Sequence, residues 1–163
     1  MAKKTENVVY DRLSLEQWRE AVAENPDLSV EVFTNGHSMR PLLRVRGDSV
    51  KLVQFKREMV IGDIILFLRA DGKQIIHRLC WMDEENVQTI GDNCDRKDRV
   101  VPRSSVVGLV THVSNRGHLI HVDTRLGRFY GKFMIWSNPV RMFIRNKMYY
   151  PLRKLAKRII KGK

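Results

Sequence analysis

Apolar positions recur every second residue through the middle of this chain, and toward both ends the period becomes helical. Residues 14–17, Ser-Leu-Glu-Gln, form a capping box, with Leu15, Trp18 and Val22 then falling on one helical face. Asn25-Pro26 ends that helix. Residues 30–33 alternate as a strand, residues 50–55 predict another, and 64–68 are continuously apolar, short enough for a strand buried on both faces. Asp71-Gly72 is a hairpin signal, so the chain returns in a strand that carries His77. Residues 87–90 predict a further strand. Residues 106–113 and 118–122 flank a second hairpin turn at 114–117. Short strands separated by turn signals predict a mainly β domain.

After Trp136 the pattern changes. Pro139 and Pro151 punctuate two expected helices. In the second, Leu152, Leu155, Ala156, Ile159 and Ile160 keep helical spacing, while Arg153, Lys154, Lys157, Arg158 and Lys161 fill the other side. The chain thus divides into an N-terminal helical segment (1–28), a β domain (29–123) and a basic C-terminal tail (124–163).

Charge sharpens that division. The formal net charge is +12, and residues 124–163 hold twelve Lys or Arg with no acid, leaving eighteen basic against eighteen acidic residues before them. A basic amphipathic tail suits an anionic membrane surface and is expected to be separable from the rest of the chain. No nucleic-acid-binding motif accompanies the charge, so nucleic acid is not expected as a partner. With 163 residues and 43% hydrophobic content the chain can build a core. No stretch approaches the ~20 apolar residues that span a bilayer. Residues 1–7 lack an apolar segment after their lysines, so a cytoplasmic location is expected, with Cys80 and Cys94 as reduced thiols.

Chemistry enters through a serine, a histidine and two aspartates. Ser38 lies in Gly36-His37-Ser38-Met39-Arg40-Pro41, His77 in Ile75-Ile76-His77-Arg78, Asp92 in Gly91-Asp92-Asn93, and Asp98 six residues later. A serine hydroxyl is a poor nucleophile until a base takes its proton, and a carboxylate can hold a histidine in the useful tautomer. From residue types alone, Ser38 could as well be a turn serine, His77 a satisfied strand histidine and either aspartate a turn cap. His112, His118 and His121 are loosely spaced and no acidic or cysteine cluster joins them, so neither metal nor cofactor is expected.

The local contexts resemble the signal peptidase I family of serine peptidases. Gly36, Ser38, Met39 and Pro41 match its G-x-S-M-x-P box. Gly47-Asp48, residues 62–67, Ile76-His77-Arg78, Gly91-Asp92-Asn93 and Val107-Gly108 match later boxes in order. A histidine at 77 is similar to the branch that works with Ser, His and Asp. The resemblance implies a coiled, partly barrel-like β fold and a serine endopeptidase. Ser38 would be the nucleophile, His77 the general base, Asp98 the orienting acid and Asp92 an organiser of the site. The substrate would be a peptide or precursor protein. Two features depart from the family: Gly36 stands where many members carry a hydroxyl for the oxyanion hole, and no membrane anchor is expected. The alternative is a peptide-binding module of the same fold that does not cleave. Self-cleavage of the phage-repressor kind is a third reading, disfavoured by the absence of a helix-turn-helix and of a lysine base.

Overall fold

The apolar run at 64–68 becomes a strand with a different core on each face. In the computed structural model, which describes residues 7–9, 15–44 and 47–153, strand β4 (Ile64–Leu68) sends Ile64 and Leu66 into one cluster and Ile65 and Phe67 into another. The period of two in a strand dictates this split. The larger cluster adds Trp18 and Val22 from helix α1 (Leu15–Glu24), Val30 and Val32 from β2 (Ser29–Phe33), and Val50 and Leu52 from β3 (Ser49–Val53). The smaller gathers Leu79 from β5 (Gln74–Met82), Val87 from β6 (Asn86–Ile90) and Val101 from β7 (Val101–Pro102).

The remaining strands are β1 (Asn7–Val9), β8 (Val106–Asn115) and β9 (His118–His121). The sheet runs β1-β2-β3-β8-β4-β5-β6-β7, with β9 paired to β8. Only β1–β2 among these pairs is parallel. The chain is therefore mainly β. The strand path stays open among the described residues, so the expected partial barrel does not close: β7 ends the path on β6 and β1 ends it on β2. Strand β8 is long enough to serve β3, β4 and β9 in turn. Both hairpins form as the turn residues require. Arg116 and Gly117 take φ of 52° and 81°, and Gly72 takes 77°.

Two expectations change. The helical C-terminal part starts before Trp136, at Thr124. Its hydroxyl accepts from the Gly127 N–H at 2.9 Å and opens helix α2 (Arg125–Trp136). Most of its apolar residues face away from the core, whereas Met134 is buried. Helix α3 (Asn138–Ile144) follows directly, with Pro139 in its first turn. Pro151 does not divide helices. It continues a helical path through a π-helical turn, Arg145–Tyr149, where wider bonding already breaks the regular ladder that a proline would interrupt. The capping serine, Ser14, and residues 154–161 of the amphipathic pattern lie outside the described residues.

Helix α2 seats against β5 through glycine. A Cβ on Gly131 would collide with the Gly62 carbonyl and come within 2.7 Å of Arg78 Nη1. Gly131→Ala should thus lift α2 and cost about 1–3 kcal/mol, as overpacking does elsewhere. An unchanged urea midpoint would show that the helix is not held at this point.

Candidate active site

Neighbouring residues of a strand point to opposite faces, and β5 uses this to give His77 and Arg78 separate carboxylates. His77 Nδ1 lies 2.6 Å from Asp98 Oδ2. Arg78 makes a two-pronged pair with Asp92, Nε to Oδ1 and Nη2 to Oδ2, each 2.7 Å. Asp98 is thus the aspartate that reaches the histidine, and Asp92 is the one that holds the neighbouring arginine.

Asp98 is itself well fixed. Its backbone N–H donates to Thr89 O at 2.9 Å, and its carbonyl accepts from Gln88 Nε2 at 2.9 Å. The Thr89 hydroxyl donates to the same Oδ2 at 2.5 Å. Burial pushes the Asp98 carboxyl up, but the hydrogen bonds from His77 and Thr89, with the nearby charges of His77 and Arg69, outweigh it and leave it below the usual carboxylate range. An ionised carboxylate only accepts hydrogen bonds, so Nδ1 is the donor to Asp98, and in the neutral ring Nε2 is the nitrogen that carries the lone pair. Thr89 was not singled out from the sequence. Its trace there is a polar residue sharing the alternation of Val87, an inward position.

The loop 91–94 joins histidine to serine. A Cβ on Gly91 would sit 2.8 Å from Ser38 O, 2.9 Å from His77 Nε2 and 2.7 Å from Cys94 Sγ, so only glycine fits where the two boxes meet. The Asn93 N–H donates to Ser38 O at 2.6 Å and its side-chain amide donates to His37 O at 3.0 Å. The His37 side chain is exposed. Met39 is buried in the larger core, and the Leu43 N–H closes the turn onto its carbonyl at 3.0 Å. Ser38 and His77 line one groove of about 890 Å³, with Val32, Met39, Leu43, Leu66 and Ile76 among its walls. The Ser38 hydroxyl makes no hydrogen bond to the His77 ring, or to any other described residue. Burial, Asp98 and Asp95 hold the Cys94 thiol above its ordinary value, so it stays protonated beside the site.

The C-terminal helices close this loop from behind. Arg141 Nη1 donates to Asp92 O at 2.7 Å, Asn138 Nδ2 donates to Cys94 O at 3.0 Å, and Arg145 Nη1 bonds both oxygens of Asn93. Two cations of the C-terminal tail, Arg141 and Arg145, are thus tied to the G-D-N loop. His112 and His121 stack at 4.3 Å, and no group of three or more metal-binding side chains forms among the described residues. No protein-family model matches the chain, and no curated protein does.

The two aspartates should respond differently to substitution. Asp92→Asn leaves Arg78, with 2% of its side chain exposed, without its charge partner, and should cost about 3–5 kcal/mol in chemical denaturation. Asp98→Asn should act on the pH profile of stability. A depressed folded-state value means that the unfolded chain binds more protons over that interval. Stability therefore rises with pH there and is lost as pH falls through the folded value. The Asp98→Asn variant should show a flatter acid limb than the parent when unfolding is followed across acidic pH. Equal slopes would remove Asp98 from that role.

Proposed function

We propose that the chain is a serine endopeptidase of the signal peptidase I type, with Ser38, His77 and Asp98 as its catalytic residues. The observation that carries this reading is the His77–Asp98 hydrogen bond facing the same groove as the serine box, with Nε2 left open. Ser38 Oγ attacks the scissile carbonyl carbon while His77 Nε2 takes the hydroxyl proton. The C–N bond then breaks, and the same proton passes to the departing amine. Water attacks the acyl carbon as His77 takes its proton, and His77 then returns that proton to Ser38 Oγ as the acyl C–O bond breaks. The Ser38 N–H makes no backbone hydrogen bond among the described residues and is the candidate oxyanion donor. Gly36 offers no hydroxyl to assist it.

The groove suits an extended peptide. Residues 74–77 of β5 pair with β4 on one side, whereas pairing with β6 begins only at Arg78. Across the groove, β1 covers β2 only as far as Glu31, leaving Val32 and Phe33 without a partner strand on that side among the described residues. A substrate strand laid between these edges would pair with the backbone of Ile75, Ile76 and His77 on one side and of Val32 and Phe33 on the other. The apolar floor of Met39, Leu43 and Leu66 would receive an apolar side chain next to the cut.

A second reading, a peptide-binding module that does not cleave, draws on the missing Ser38–His77 hydrogen bond and on Gly36. One experiment separates the two. A fluorophosphonate probe should label the parent protein at Ser38 but not Ser38→Ala, and His77→Ala should label far more slowly. Ser38→Ala should keep the parent's thermal midpoint. Asp98→Asn should slow labelling by up to ~10⁴-fold through loss of the tautomer. Unlabelled parent protein that still binds extended peptides would establish the module instead.

A further inference from the structure

Helices α2 and α3 expose an apolar face that no part of the described molecule covers. Leu126, Phe129, Phe133 and Trp136 follow 3-4-3 spacing, which is one stripe of a helix, and are 75%, 70%, 47% and 78% exposed. The other side of α2 holds buried Gly131 and Met134. On α3, Val140 and Phe143 are each 62% exposed, while Asn138 and Arg141 bind the G-D-N loop. A stripe of this size, aromatic and in water, is an interaction surface.

Charge identifies its occupant. The exposed cations Arg125 and Lys132 lie on α2 beside the stripe, Lys147 follows on the π-helical turn, and no acidic residue occurs anywhere in 124–163. A second copy of the chain would bring like charges together across a two-fold interface. A nucleic acid would have no use for the apolar stripe. Phe and Trp flanked by Lys and Arg fit the boundary between lipid headgroups and acyl chains. We propose that this α2–α3 face seats the protein in the plane of an anionic lipid surface. The surface is distinct from the helical pattern at 152–160, and it begins near the first residue of α2. Residues of α3 then touch lipid on one side and the loop beside His77 on the other.

The full-length protein should co-sediment with phosphatidylcholine vesicles containing phosphatidylglycerol, bind pure phosphatidylcholine more weakly, and dissociate as salt rises. Phe129→Ser, Phe133→Ser and Trp136→Ser together should reduce that binding at least ~10-fold, since the loss falls on buried apolar area. These side chains are exposed, so the triple variant should retain the parent's thermal midpoint and the reactivity of Ser38. Brominated lipids should quench the tryptophan fluorescence of the parent more than that of Trp136→Phe. Binding unaffected by the triple change, or no binding by the parent, overturns the proposal. A concentration-dependent dimer that the triple change dissolves would overturn it in favour of a second copy. The vesicle-binding and fluorescence readouts do not depend on whether Ser38 cleaves peptides.

Discussion

The buried pair between Arg78 and Asp92 is the constraint around which the rest is arranged. Their side chains are 2% and 1% exposed. Removing two charges from water is costly, and the cost is offset only where the geometry is complete. Here it is complete. Arg78 places Nε and Nη2 on the carboxylate and Nη1 on Gly62 O, and its guanidinium lies 5.8 Å from the centroid of the Tyr130 ring. Strand β5, the G-D-N loop, the turn before β4 and helix α2 are fixed to one another by that one group. Because His77 precedes Arg78 on the strand, fixing the arginine also fixes which way the histidine faces.

That arrangement explains why two aspartates six residues apart behave differently. Asp92 is sealed and matched by a permanent cation, so its work is structural. Asp98 keeps some contact with solvent and meets a side chain that can gain or lose a proton. The serine is positioned differently again, through backbone. Asn93 holds the carbonyls of His37 and Ser38, leaving the Ser38 hydroxyl free to turn in the groove. The site is thus joined by main-chain bonds on the serine side and by a carboxylate on the histidine side, with an open groove along both.

The C-terminal part combines two uses of cations on one scaffold. Arg128 is tied to Asp123, and Arg141 and Arg145 are tied to loop and helix carbonyls, so their charge is engaged inside the fold. Arg125, Lys132 and Lys147 stand exposed. A count of lysines and arginines cannot separate these roles, because both kinds of cation occur at similar spacing.

Local pattern determined the strands closely. The run at 64–68 became β4 with the same limits, and 30–33, 87–90 and both hairpins followed from alternation and turn chemistry, which act over a few residues. Motif context also singled out Ser38, His77, Asp92 and Asp98 before any distance was known. What sequence could not decide was partnership. Whether Asp98 or Asp92 meets His77 depends on the path of the loop between β6 and β7. Whether the strand path closes depends on twist and bulges summed over the whole sheet, and among the described residues it stays open. The same limit hid Thr89, Arg141 and Arg145, whose partners lie far along the chain or on another element. It also hid the apolar face of α2, because an amphipathic period shows that a stripe exists but not whether the stripe turns toward the core or away from it. Tertiary structure settled that through Gly131, where the helix comes close enough to Gly62 and Arg78 to bury its other side.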